Sequence, residues 1–410
     1  MILQTVIKVI VGEESMNHNI VYLDNASTTF PFDKCIEEFV ECAREYYNPS
    51  STYCEGGIAA HNNIETARSQ IARFISAKPS EIYFTSGGSE SNTWAIKGIL
   101  EANSNIHTII TTQIEHSSVY NAVKAVEKND KFLSVLYTPI DSEGNVDIKL
   151  FDKLIRNIRG DVLVAIMYAN NEIGTVQNIS DLSYITKKYD GSIFFTDAVQ
   201  AFGNININMK QLENVDVLSA SGHKIGCFSG IGFLYVRDGA KISPLINGGK
   251  QEGGLRGGTE NYCYIVPFGK QVNRLYGTVS DKWTDIANKT IYLYNKITSG
   301  ELDKYCNIKL NGNIVGDYRR LPNNLSIVFG GIDASTIITL LDERGFIVSA
   351  GSACNAGTGE PSRVLKKIGL SDEDANSTIR ITISQDTQYS DLNKFYDNLI
   401  DIIRFLHGDI

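Results

Sequence analysis

Ser219-Ala220-Ser221-Gly222-His223-Lys224 decides the reading of this chain. The stretch follows Val215 to Leu218, an apolar run that reads as a buried strand. A lysine at the end of such a run, among small residues, a glycine and a histidine, sits in a cramped and partly desolvated place. Burial disfavours the ammonium form and lowers a lysine pKa. The free amine is the species that condenses with an aldehyde to give a Schiff base. A lone lysine that caps a strand at the surface is the plain alternative, and the rest of the chain has to decide between them.

Working outward, Ile82 to Val236 alternates short β-branched or aromatic runs with segments of helical period. Strands are expected at Ile82–Thr85, Thr108–Thr111, Val162–Met167, Ile193–Thr196 and Val215–Leu218, with helices over about Glu90–Leu100 and Val119–Val126. This alternation predicts an α/β fold with a mostly parallel sheet covered on both faces, and ligands beyond the carboxyl ends of its strands. Past Asn261 the texture changes. Long helices over Tyr262–Tyr276 and Trp283–Glu301 lead into a smaller α+β unit, with strands at Asn324–Val328 and Ile379–Ile383 and helices at Ala334–Glu343 and Leu392–Leu406. The expected division is an extension over 1–20, a large domain over 21–275 whose first residues pack with the small domain, and a small domain over 276–410.

Composition narrows the function. A chain of 410 residues exceeds one typical core, and 42% hydrophobic with 21% charged residues is ordinary for a globular protein. A formal net charge of −9 without a dense Lys/Arg cluster argues against direct nucleic-acid binding. The seven cysteines (35, 42, 54, 227, 263, 306 and 354) are scattered and include no C-x-x-C pair. That pattern predicts neither a disulfide framework nor a metal site, and places the chain in a reducing cytoplasm. No apolar run is long enough to span a membrane. Met1 to Val11 is apolar but interrupted by Lys8 and followed by Glu13 and Glu14, so no secretory signal is expected, and Met16 is an equal candidate for the start.

Chemistry-bearing residues follow the strands. Thr85-Ser86-Gly87-Gly88-Ser89-Glu90 joins a strand to a helix; its glycines permit close backbone approach and the helix start favours an anion, a single phosphate. An ordinary βα turn with a serine cap would use the same residues. Asp197 closes its strand, with Gln200 three residues on. A carboxylate there needs a cation, such as a protonated pyridine nitrogen, unless it is a helix N-cap. His116 could stack on a flat cofactor ring and move protons. Asn170-Asn171-Glu172-Ile173-Gly174 reads as ligand recognition or as plain turn chemistry. Cys354, in Gly351-Ser352-Ala353-Cys354-Asn355-Ala356-Gly357-Thr358-Gly359, has the small neighbours that a nucleophilic thiolate requires. Arg380, inside an apolar strand, either grips a substrate carboxylate or pairs with an internal Asp or Glu.

In this order the motifs resemble the pyridoxal-phosphate enzymes of fold type I, class V aminotransferase group, and within it the cysteine desulfurases of the NifS/IscS type. The resemblance runs from Tyr22-Leu23-Asp24-Asn25-Ala26 to about Ser384. It includes Asn48-Pro49-Ser50-Ser51, Gly257-Gly258-Thr259-Glu260-Asn261 and Glu360-Pro361-Ser362. It implies a large domain with a seven-stranded sheet, a small domain carrying the cysteine loop, and pyridoxal 5'-phosphate as cofactor. Lys224 would hold the cofactor covalently. Gly88, Ser89, Ser221 and His223 would bind its phosphate, with Thr259 from a second subunit of a homodimer. His116 would stack on the ring, Asp197 pair with its nitrogen and Gln200 bond its hydroxyl. Asn171 and Arg380 would orient L-cysteine, and Cys354 would take its sulfur as a persulfide, leaving alanine. A sulfur-acceptor protein is implied, either an iron–sulfur cluster scaffold or a tRNA-thiolation protein.

The alternatives are a selenocysteine lyase, a plain aminotransferase and a non-catalytic scaffold that keeps the fold. Three departures stand out: Phe228-Ser229-Gly230 where the family usually reads Pro-Lys-Gly, Tyr53 in place of a common histidine, and Asn355-Ala356-Gly357 after the cysteine. They bear on whether the role is general or specific to one pathway.

Overall fold

A seven-stranded sheet carries the molecule, here described from a computed structural model over residues 20–45, 47–351 and 360–409. Its strands are β2 (Ile82–Thr85), β3 (Ile106–Thr111), β4 (Ser134–Tyr137), β5 (Asp161–Ala165), β6 (Ile193–Asp197), β7 (Val217–Ser221) and β8 (Gly232–Val236), in the spatial order β2-β8-β7-β6-β5-β3-β4. β3 to β7 pair in parallel, whereas β8 is antiparallel to both β7 and β2. The mostly parallel sheet predicted from the alternation is therefore observed. Only the direction of β8 departs from it, because residues 222–231 are too few for the crossover a parallel return needs.

Both faces of the sheet are buried, and the strands show it residue by residue. Ile110, Phe194 and Leu218 enter one core, while their neighbours Ile109, Phe195 and Val217 enter the opposite one with Trp94. That is the two-residue period of a strand with apolar groups on both sides. Helices Gly88–Ala102, Ser117–Asn129, Glu55–Phe74 and Tyr262–Leu275 are among those that cover it.

The C-terminal part forms a separate antiparallel sheet, β12-β13-β10-β9, from β9 (Asn307–Leu310), β10 (Asn324–Gly330), β12 (Ser349–Ala350) and β13 (Thr378–Thr382). Leu325, Ile327, Phe329, Ile379 and Ile381 pack there against Leu392, Phe395, Leu399 and Ile403 of helix Tyr389–Leu406. The N-terminal β1 (Val21–Tyr22) pairs in parallel with β11 (Phe346–Ile347), and Leu23 is buried in this same core. The second long helix runs Val279–Ile297, four residues ahead of the position read from sequence; Thr278, before it, makes no side-chain cap that would have marked its start.

One buried cation stitches the two sheets' loops. Arg320 donates to the carbonyls of Asn311, Asn313 and Asn324, and Leu321 N bonds Gly174 O at 2.7 Å. Burial pushes the Arg320 guanidinium down to about 9, still protonated at neutral pH. The loop just beyond Asn171 and Glu172 is thereby held from the C-terminal side.

Candidate active site

The carboxyl ends of β3, β5, β6 and β7 open on a cavity of about 300 Å³. Gly88, Ser89, His116, Asn171, Asp197, Gln200, Ser221, His223, Lys224 and Arg380 all line it. Most of these residues, far apart in sequence, meet there because they follow strands that end on one edge of the large sheet, whereas Arg380 reaches in from β13 of the antiparallel C-terminal sheet. Thr259 does not line the cavity; it is exposed on the loop after Gly258. Cys354 lies outside the described residues. Both flanks of its segment do meet the cavity wall. A Cβ on Gly351 would come 3.5 Å from Glu172 Oε2, and Ser362 Oγ donates to the same carboxyl.

The end of the cavity at Gly88 and Ser89 is built from β2 and the helix after it. Gly87 takes φ 145°, a conformation side chains rarely adopt. A Cβ on Gly88 would stand 2.6 Å from Val199 Cγ2, so nothing larger fits. The first bond of the helix is Ser91 N to Gly87 O, which leaves the N–H groups of Gly88, Ser89 and Glu90 at its open end. No side chain caps this terminus. Ser86 N instead bonds Glu90, which is itself paired with Arg256.

Asp197 and His116 share one chain of hydrogen bonds. Asn92 Nδ2 donates to Asp197 Oδ2 at 2.7 Å and to Ser118 Oγ at 2.8 Å, while Ser219 Oγ donates to Asn92 Oδ1. Ser118 Oγ in turn lies 2.7 Å from His116 Nδ1, and Ser118 N donates to that nitrogen at 3.2 Å. Nδ1 is thus an acceptor, and the ring proton falls to Nε2. Burial holds His116 below its usual pKa, and the Lys224 and Arg363 charges push the same way against Asp197. Asp197 Oδ1 also accepts from Val199 N at 2.9 Å. The cap-like turn and the inward carboxylate, posed as alternatives above, coexist on its two oxygens.

Lys224 Nζ is half-buried and donates to Ala26 O and Ser27 O, each at 2.6 Å. Gln200 Nε2 reaches Ala26 O at 2.9 Å. His223 is brought down to about 4 by burial first and the adjacent Lys224 second, so it is neutral at physiological pH. Of the two alternatives posed for Arg380, the internal acid pair is the one observed. Arg380 pairs with Asp24 at 2.7 Å, and also bonds Ser27 Oγ and Asn171 O, yet its buried Nε has no acceptor among the described residues.

The polar lining residues that were not read from the sequence include Asn92, Glu115, Glu172 and Arg363. Asn92 follows Ser89 by three residues on one helix, a spacing that puts both on the cavity side. Glu115 and Glu172 adjoin His116 and Asn171 and are buried. Burial raises Glu115 to about 8 and Glu172 to about 7. Glu115 takes bonds from Thr112 Oγ1 and Met167 N on Oε1, whereas its Oε2 has no partner among the described residues.

An acid raised in the fold binds its proton more tightly folded than unfolded, so its stability contribution falls between the unfolded carboxyl pKa and the folded value near 8. Glu115→Gln, which copies the neutral form, is expected to flatten that loss. Relative to the parent it gains on the order of a few kcal/mol between about pH 5 and pH 8. Thermal unfolding of both proteins at the two pH values checks this; parallel pH curves would show that the group is not neutral in the fold.

The model of the aminotransferase class-V family matches residues 21–395, nearly the whole chain. The chain belongs to that family. A family member from Dictyoglomus turgidum, the cysteine desulfurase IscS, is 40% identical over 389 residues, covering 94% of this chain and 95% of its own. Among solved family structures, a NifS-like protein superposes with a TM-score of 0.85 at 33% identity, covering 94% of this chain and all of that one. SspA in complex with cysteine gives 0.74 at 33% identity, over 89% and 99%. The fold type I architecture follows from these matches.

Proposed function

We infer that this family member is a cysteine desulfurase, which converts L-cysteine and a protein thiol into L-alanine and a protein persulfide. The observation that carries the reading is the convergence in one cavity of Lys224, Asp197, His116, an open helix start at Gly88 and Ser89, and Arg380.

The donor set fits pyridoxal 5'-phosphate. Gly88, Ser89, Ser221 and His223 offer a small, uncrowded anion cradle, Asp197 offers a carboxylate for a protonated ring nitrogen, and Gln200 an amide for a hydroxyl. Lys224 is the amine within the same cavity. When bound, this cofactor supplies an aldehyde for amines and an electron-withdrawing ring that stabilises negative charge at the substrate Cα. Thr259, exposed and off the cavity, is proposed to serve the site of a second copy in a homodimer.

The chain's own residues do the rest. Arg380, held by Asp24 and Ser27, keeps donors free for the substrate carboxylate, and Asn171 stands beside it. Lys224 Nζ removes the Cα proton. His116, with its proton on Nε2 and its Nδ1 fixed by Ser118, would stack on the ring and can carry a proton at Nε2. Cys354 attacks the substrate sulfur as a thiolate; the Cβ–S bond breaks, the sulfur stays on Cys354 as a persulfide, and two protons complete the alanine at Cα and Cβ. The persulfide passes to a sulfur-acceptor protein, a cluster scaffold or a tRNA-thiolation protein.

A 21–275 and 276–410 domain division accords with the two sheets and their separate cores. No described helix is long and apolar enough to cross a membrane. The persulfide chemistry requires a reducing setting such as the cytoplasm.

The test is direct. Protein loaded with pyridoxal phosphate and given L-cysteine and a reducing thiol is expected to release alanine and sulfide in equal amounts. Alanine formed only from selenocysteine, or transamination of cysteine without sulfide, would overturn the assignment.

A further inference from the structure

Arg363 lines the active-site cavity from the C-terminal part of the chain, beside the Ser362 that bonds Glu172. Its two terminal nitrogens are spent on carbonyls: one on Gln113 O, the other on Glu115 O at 2.7 Å. Those carbonyls belong to the turn that delivers His116. The guanidinium also lies over the Tyr120 ring, 4.0 Å from its centroid, and Tyr120 sits in the first turns of the helix that His116 caps. Three contacts from one side chain therefore bracket His116 on both sides. A planar fork can hold two carbonyls and stack at once; an ammonium cannot.

We propose that Arg363 is a positioning residue for His116: a clamp from the start of the short helix Arg363–Lys367 that fixes the imidazole over the cavity. The proposal rests on the role given to His116 above. Charge adds to geometry. The groups that face His116 are Asp197, through Asn92 and Ser118, together with Lys224, His223, Glu115 and Arg363. Among them Arg363 contributes positive charge that disfavours an imidazolium. Fork and charge can be separated, because Arg363→Lys keeps the charge and loses the fork, while Arg363→Gln loses both.

In the cofactor-loaded enzyme, Arg363→Gln is expected to lower kcat about thirty-fold with KM for cysteine within about threefold, the pattern of lost positioning rather than lost substrate binding. Arg363→Lys should lose most of that kcat as well, and stands in should the glutamine variant not fold. The ring titration of His116, followed by NMR on histidine-labelled holoenzyme and assigned with His116→Ala, should move up in Arg363→Gln and stay in place in Arg363→Lys. In a double-mutant cycle, Arg363→Gln should cost little in a His116→Ala background. A rise of about tenfold or more in KM at unchanged kcat would overturn the clamp in favour of a substrate contact. So would a full, additive loss on an already impaired His116→Ala enzyme. A fully active His116→Ala enzyme would instead overturn the reading of the site itself.

Discussion

Lys224→Ala is expected to lower alanine formation from L-cysteine by at least about 10⁴-fold, because one amine serves as both covalent anchor and proton carrier. The structure places Nζ between the carbonyls of Ala26 and Ser27, at the mouth formed by β7 and the short turn Gly222–Lys224. Removing it leaves those two carbonyls and the phosphate cradle intact, so the variant should still bind pyridoxal phosphate reversibly. Dialysis should then strip the cofactor from the variant and not from the parent. Alanine formation within about tenfold of the parent would mean that another group carries the Cα proton.

Cys354→Ala should abolish alanine formation above background while leaving cofactor content and visible absorbance unchanged. Alanine keeps the electron pair of the broken Cβ–S bond, so it forms only if a nucleophile takes the sulfur; loss of sulfide by elimination, which needs no thiol, leaves the pair on sulfur and gives no alanine. The flanks support the choice of this cysteine over the others. Gly351 and Ser362 both meet Glu172 on the cavity wall, whereas Cys35, Cys42, Cys227 and Cys306 are buried in cores and Cys54 and Cys263 line no part of the cavity. Full turnover by the variant, read as alanine and sulfide, would place the acceptor elsewhere.

Much of this site is legible in the sequence because parallel strands announce their own ends. Buried runs such as Ile193–Thr196 can only be followed by a turn at the sheet edge, so Asp197 and Lys224 are placed at that edge before any coordinates. What stays hidden has physical reasons. The direction of β8 leaves no mark on an apolar five-residue run; the shortness of its connection is the signal. β1 pairs with β11, more than three hundred residues away, through two residues too few to show a period. Glu115 and Glu172 look like ordinary acids until burial raises their pKa values, and burial is a tertiary property. Arg363 looks like a solvated helix residue because its partners are main-chain carbonyls, which every sequence has. Arg380 is the instructive case: the sequence poses two partners as rivals, and the five donors of a guanidinium are enough for Asp24 and a ligand together.

The claim on which all of this depends is that Lys224 is the amine that holds an aldehyde coenzyme. Borohydride reduction of the pyridoxal-phosphate-loaded protein, followed by peptide mass mapping, tests it most directly. The account predicts a phosphopyridoxyl group on Lys224 at about one per chain and on no other lysine in comparable yield. Its appearance on a different lysine, or its absence from a protein that has bound the cofactor, would contradict it.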